Sequence, residues 1–229
     1  MRRFALASLA TLAAAPAAVA ADASHPIVIE LFQSQGCSSC PPANASLIEF
    51  VKRPDVLALN FSVDYWDRLG WKDTFDSPAY TARQYAYARS LGDSGVYTPE
   101  IIVNGRAEGV GDTVAEMESL ASKADRGTSG PSLRFEGGEV VVGEGKPPAS
   151  GAEVWLALYD PGIAEVAITR GENAGRRLAH THIVHGLTKL GRWTGAQARF
   201  ALPSNFAGWS MAVLVQTEGV GPILSAAKG

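Results

Sequence analysis

The only two cysteines of the chain stand together as Cys37-Ser38-Ser39-Cys40. A β-rich apolar run, Ile27 to Phe32, precedes them, and Cys40 opens a stretch with helical spacing through Ala43, Leu47, Ile48, Phe50 and Val51. A C-x-x-C pair between a strand and a helix reads as a redox motif. The backbone N–H groups and macrodipole of a helix N-terminus stabilise an anion. A thiolate placed there has a depressed pKa and is a nucleophile at neutral pH. The spacing sets the second sulfur one helical turn from the first, within reach of disulfide geometry. Cys37 is therefore expected to be the exposed attacking thiol, and Cys40 the thiol that resolves the mixed disulfide. Pro41 and Pro42 suit the first turn, where backbone N–H groups have no intrahelical partner.

Two other readings of the pair stay open. One is a structural disulfide, although closing a loop this short contributes only about 2 kcal/mol in the chain-entropy model. The other is half of a zinc site, which needs two further ligands from four histidines and scattered carboxylates. His180-x-His182-x-x-His185 is the nearest candidate. In a strand His180 and His182 share a face while His185 points away, so these histidines read as polar strand residues and no metal is expected.

A proline enters a strand of the same half at Tyr97-Thr98-Pro99-Glu100-Ile101, which makes Thr98–Pro99 a candidate cis peptide. The segment Asp64-Tyr65-Trp66-Asp67 through Trp71-Lys72-Asp73 follows another strand-like run. Loops at strand C-termini in open α/β folds often frame a site. Tyr65 and Trp66 are read as one wall of a substrate groove, or else as part of a packed structural loop.

The elements that must hold these residues fall into two regimes, with a seam at Asp125 to Pro131. Before it, the strand-like runs Ile27–Phe32 and Val56–Val63 alternate with helical patterns from Cys40 and over Ser77–Leu91. A hairpin signal follows at Ile101–Val110 around Asn104-Gly105, and then a helix over Thr113–Lys123. That order predicts an α/β layer over residues 21–127. After the seam, short strand candidates stand between glycine and proline breaks: Leu133–Phe135, Val140–Val142, Val154–Tyr159, Ala164–Thr169, His180–Leu187, Ala198–Leu202 and Ser210–Gln216. Residues 128–229 are therefore expected to form a small antiparallel β-sandwich-like domain.

Residues 1–20 read as a signal peptide. Arg2 and Arg3 supply the positive end, Phe4 to Ala15 the apolar stretch, and Ala18-Val19-Ala20 the cleavage pattern. An apolar stretch broken at Pro16 is short for a membrane anchor. Removing Arg2 and Arg3 from the 20 basic residues leaves 18 against 23 acidic ones. An acidic mature chain with an ordinary charged fraction of 19% is a poor candidate for a nucleic-acid binder or a disordered protein. No later stretch is fit to span a bilayer. The expectation is an exported protein, periplasmic or secreted, in a compartment where disulfides persist.

Three motifs resemble those of the exported, thioredoxin-like family called domain of unknown function 1223. They are Glu30 to Ala43 (E-L-F-Q-S-Q-G-C-S-S-C-P-P-A), Val63 to Asp73 and Tyr97 to Gly105, and Gly171 to Arg176 (G-E-N-A-G-R) resembles that family as well. The resemblance implies a thioredoxin-like domain with an appended β-domain, and no substrate. By the thioredoxin-like analogy, Thr98 offers its backbone to an extended substrate and Pro99 shapes the groove. Thioredoxins also place a buried acid just upstream of the cysteines. Glu30 is the candidate to take a proton from Cys40, against the plainer reading of an outward-facing strand residue. The Ser-Ser dipeptide leaves oxidant against reductant open, because the residues between the cysteines help set the potential.

Together these point to an exported thiol–disulfide oxidoreductase acting on protein or small-molecule disulfides. No organic cofactor is implied, since the dithiol is itself the redox centre. With no third cysteine to pass electrons on, a separate partner is expected to recycle the pair. The alternatives are a cell-envelope binding module with a structural disulfide, and a metal carrier.

Overall fold

The computed structural model describes residue 22, residues 24–205 and residues 208–229. The leader expected over residues 1–20 lies outside the described residues.

The centre of the molecule is a pair of parallel strands, β1 (Ile27–Gln33) and β2 (Val56–Ser62), in register from Ile27 opposite Val56 to Gln33 opposite Ser62. Every residue of both strands is buried. That is why they read as near-continuous apolar runs, since a parallel strand covered on both faces has no polar side to show. Successive side chains still alternate between the faces. Ile29 and Leu31 pack with α1 (Cys40–Phe50) and α3 (Val114–Lys123) through Ala43, Leu47, Phe50, Met117 and Leu120. Val28 and Phe32 pack on the other face with Tyr80 and Tyr87 of α2 (Pro78–Leu91). Helix α2 begins where the Ser77 hydroxyl accepts from the Ala79 N–H and Pro78 takes the first turn. It stops at Gly92, whose φ of 84° is the left-handed C-terminal conformation.

On the outer side of β1 runs antiparallel β3 (Glu100–Val103), followed by β4 (Ala107–Gly109). The three-residue hairpin turn, Asn104 to Arg106, has positive φ at both Asn104 (51°) and Gly105 (63°), the left-handed region that asparagine and glycine adopt most readily. A Cβ on Gly105 would lie 2.5 Å from the Gly221 carbonyl oxygen, so glycine is the residue that fits.

The second half departs from the expected separate sandwich. Its strands are β5 (Leu133–Glu136), β6 (Glu139–Val142), β7 (Ala152–Ala167), β8 (Arg177–Trp193), β9 (Ala198–Ala201), β10 (Ser210–Thr217) and β11 (Ile223–Lys228). Val154–Tyr159 and the first part of Ala164–Thr169, as far as Ala167, belong to one long strand, β7, whose pairing with β8 is irregular between Asp160 and Ile163. Four of these strands extend the central sheet, giving an eight-stranded mixed sheet in the order β11-β10-β7-β8-β2-β1-β3-β4. The junction is a parallel pairing of β2 with β8 at Asn60 and Ile183. Only β5, β6 and β9 form a sheet of their own, antiparallel in the order β5-β6-β9. Val140 and Val142 from it join Val154, Leu156, Trp193, Val213 and Val215 of the large sheet in one core. The boundary expected at 127/128 falls between α3 and β5 but does not separate two sheets. The physical reason is that β2, apolar on both faces, would otherwise present an open edge of unpaired backbone groups. Among the described residues, no helix is long and apolar enough to cross a membrane.

Candidate functional site

Strand β1 ends at Gln33, and six residues of tight loop carry the chain into α1. The Ser34 hydroxyl accepts from the Gly36 N–H at 3.0 Å, and the Ser34 carbonyl accepts from the Cys37 N–H at 3.1 Å. The Cys40 N–H donates to the Cys37 carbonyl at 3.2 Å. Ser39 occupies the helix N-cap without a side-chain cap bond, and Pro41 and Pro42 fill the first turn as expected. The two thiols lie close together, with no disulfide between them. Cys37 was expected to be exposed, yet it is as deeply buried as Cys40, each at 1% exposure, while Ser38 and Ser39 face solvent.

The two thiols have opposite proton affinities. The Cys40 thiol donates to Cys37, and the Thr98 hydroxyl and the N–H groups of Ser39 and Cys40 add to this. Against the opposing effect of burial, these donors bring Cys37 down from an ordinary 9.0 to about 7. Burial, and then the neighbouring Cys37, push the Cys40 thiol well up. The Cys37 sulfur lies 3.7 Å from the Thr98 carbonyl oxygen, and the Thr98–Pro99 peptide is cis.

The surrounding loops hold this arrangement. The Trp66 indole N–H donates to the Thr98 hydroxyl at 2.8 Å, and the Tyr65 hydroxyl donates to Gln84 Oε1 at 3.3 Å. Gln84 Nε2 in turn donates to the Tyr97 carbonyl at 2.7 Å and to Glu100 Oε2 at 2.5 Å. Tyr65 and Trp66 are thus both joined to the Tyr97–Glu100 segment, and each is half-buried. Upstream, Asp73 accepts from the Gln35 N–H at 2.7 Å, and Trp71 donates to Gln35 Oε1 at 2.9 Å. Burial raises the Asp73 carboxyl to about 6.

Glu30 sits on the wrong face to serve Cys40. It shares the α2 side of β1 with Val28 and Phe32, while α1 and Cys40 lie on the side of Ile29 and Leu31. It is fully buried, so the outward-facing alternative fails as well. Its oxygens accept from Arg83 Nε at 2.5 Å, Arg83 Nη2 at 2.9 Å and the Tyr87 hydroxyl at 2.5 Å. Arg83 also donates to Gln216 of β10 at 2.9 Å. Glu30 is one half of an interior ion pair that joins β1, α2 and β10.

Local sequence pattern placed none of several further residues beside the pair. Glu100, directly after Pro99, is fully buried with Oε1 unpartnered, and burial raises its carboxyl to about 7. Behind α1 lies a buried polar cluster of Gln33, Asn44, Asn60, Ser62 and His180. In it Asn60 donates to Asn44 Oδ1 at 2.9 Å, and His180 Nδ1 lies 3.2 Å from the same oxygen. The second half reaches the cysteines through the turn at Gly171–Arg176. Buried Asn173 donates from Nδ2 to the carbonyls of both Gln35 and Cys37, each at 2.9 Å. Glu172 accepts from the Ser38 N–H at 3.2 Å, and Arg176 donates to Asn173 Oδ1 at 2.7 Å. Only the resemblance had singled out Gly171 to Arg176, and pattern alone offered nothing to place it at the site.

The three histidines of β8 separate. His182 has a positive φ of 53°, which breaks the strand alternation that had put it on one face with His180. His182 stacks on Tyr159 and His185 on Trp209. Among the described residues, no group of three or more His, Cys, Asp or Glu side chains is placed to hold a metal.

Fold and site together define a mixed α/β protein with a close C-x-x-C pair at a strand-to-helix junction, clasped from its own second half. The chain belongs to the family described as "Protein of unknown function (DUF1223)", whose model matches residues 28–216. It is also similar to the crystal structure of protein AGR_C_4864 from Agrobacterium tumefaciens, with 33% sequence identity and a TM-score of 0.75. The match covers 92% of this chain and 95% of that one. No curated protein matches the chain.

Proposed function

We propose that this protein is an exported thiol–disulfide oxidoreductase whose first half is thioredoxin-like. The observation that carries the reading is the asymmetry of the pair, with Cys37 near 7 and Cys40 well above the ordinary thiol range beside the Thr98–Pro99 segment. In the reaction, the Cys37 thiolate attacks one sulfur of a substrate disulfide, whose S–S bond breaks and releases a thiolate. Cys40 then loses its proton and attacks Cys37 Sγ, expelling the second substrate thiolate. The pair ends as a disulfide, the substrate gains two electrons, and the reverse sequence oxidises a substrate dithiol. The Tyr97–Glu100 segment, held by Trp66 and Gln84, forms the wall against which an extended substrate would lie.

Cys40→Ser is expected to accumulate a mixed disulfide between Cys37 and the physiological partner, released by reductant on a gel. Wild-type protein inert toward every dithiol and disulfide tested would overturn the reading. The deep burial of Cys37 favours a second reading, a structural disulfide in a cell-envelope binding module. The potential decides between them: a value below about −300 mV marks a structural bond, and a higher one supports exchange.

A further inference from the structure

The two sulfurs face different surroundings. Cys37 is covered by the Thr98 carbonyl at 3.7 Å, by Trp66 fixed on Thr98, and by the turn whose Asn173 holds the Cys37 carbonyl. Cys40, in contrast, lines a cavity of about 160 Å³ between α1 and the start of β8. Its walls include the buried polar side chains of Gln33, Ser34 and Asn44, and Arg176 and Arg177 contribute to its lining. No carboxylate lines it among the described residues. Arg177 is itself paired with Glu165 at 3.2 Å, and Arg176, which donates to Asn173 Oδ1 at 2.7 Å, is the cation of the lining without an acidic partner among the described residues. A space of this size admits a small molecule and excludes a folded protein.

We propose that this cavity is the entry site for a small thiol with an anionic end, which recycles the Cys37–Cys40 disulfide by attacking Cys40. The assignment rests on the oxidoreductase reading and names the partner that the pair needs. The small thiolate attacks Cys40 Sγ, the Cys37–Cys40 bond breaks, and Cys37 leaves as a thiolate. Leaving groups of lower pKa depart faster, and Cys37 is the sulfur whose thiolate is stabilised. A second small thiolate then attacks the sulfur of the first. The Cys40 thiolate leaves and takes up a proton, and a small-molecule disulfide departs. Two electrons have passed from two thiols to the protein disulfide. Small recycling thiols thus meet the pair at Cys40, on the side of the cavity.

The test follows reduction of the oxidised full chain by 2-mercaptoethanesulfonate, 2-mercaptoethanol and cysteamine, compared at equal thiolate concentration and low salt. The rate is expected to fall in that order, the anionic thiol leading the cationic one by about three- to tenfold. The acid-quenched intermediate should carry the sulfonate on Cys40 by peptide mass mapping. Arg176→Gln with Arg177→Gln should flatten the order, while the wild-type series and the mapping stand without that variant. Adduct on Cys37, or rates indifferent to charge, would overturn the cavity assignment and leave exchange intact. A Cys37–Cys40 disulfide that resists all three thiols and dithiothreitol would instead remove the oxidoreductase reading itself.

Discussion

Cys37 holds its proton loosely because the thiol beside it donates a hydrogen bond, and Cys40 holds its own tightly because burial leaves its anion poorly solvated. The thiolate fraction of Cys37 therefore rises as pH passes through about 7. Alkylation of the reduced protein by iodoacetamide should show that midpoint, and Cys40→Ala should carry it upward toward 9.0, the ordinary thiol value. A midpoint that ignores Cys40→Ala would mean the pairing contributes nothing. Glu100 makes a second prediction at this scale. Its neighbours are Gln84, which donates to it, and the acidic groups Glu108 and Asp93, whose charges reinforce burial in raising it to about 7. A raised carboxyl pKa means the folded protein binds the proton more tightly than the unfolded chain. The resulting stability is fully present below an ordinary carboxyl value of 4.5 and is lost as pH rises through about 7. Glu100→Gln removes the titration, so the stability difference between variant and wild type should move in the variant's favour by on the order of 3 kcal/mol from pH 4 to pH 8. Urea titrations of both proteins across that range measure it, and parallel curves would sink it.

Two elements decide how well the site is held, the loop after β1 and the turn before β8. Asn173 satisfies the carbonyls of Gln35 and Cys37 from a position that is itself fully buried. Asn173→Ala strips both bonds at once, and should cost about 1–3 kcal/mol of stability while speeding alkylation of Cys37. Unchanged reactivity in that variant would show that the turn does not shield the thiol. The same elements mark where the sequence was readable. The apolar runs of β1 and β2, the helix opened by Cys40 and the Asn104–Gly105 turn all stand where local pattern put them, because each is set by neighbours within a few residues. Glu30 shows the limit. Alternation along β1 groups it with Val28 and Phe32, but which face α1 will cover is a fact of packing, and Arg83 lies 53 residues away. The Glu172 bond to Ser38 spans 134 residues and carries no local signature at all. His182 was misplaced for a third reason, a positive φ inside a strand that no β-pattern anticipates.

At the scale of the molecule, the consequential feature is the single pairing of Asn60 with Ile183 that closes the edge of β2 with β8. Residues from β7 and β10, among them Ala157, Tyr159, Ala212 and Leu214, share one core with Val28, Phe32 and Phe61 from β1 and β2. The Arg83–Glu30 pair is extended by Gln216 of β10, so even the interior charge of the first half draws on the second. A chain cut after residue 127 would lose that core, leave β2 as an open apolar edge, and strip Arg83 of part of its hydrogen bonding. Burying a charge with incomplete partners is strongly unfavourable, and an open edge strand invites association. Residues 22–127 alone should therefore aggregate or remain without a cooperative melting transition. The chain from residue 22 to 229 should unfold in one calorimetric transition whose van't Hoff and calorimetric enthalpies agree. Two separated transitions, or a soluble and cooperatively folded 22–127 fragment, would show that the shared sheet is not what holds the dithiol half together. If the single transition is found, the cysteines cannot be treated as the site of an autonomous module. Their carbonyl clasp, one side of their cavity and the strand beside β2 come from the C-terminal half, and the chemistry of the pair is then a property of the entire chain.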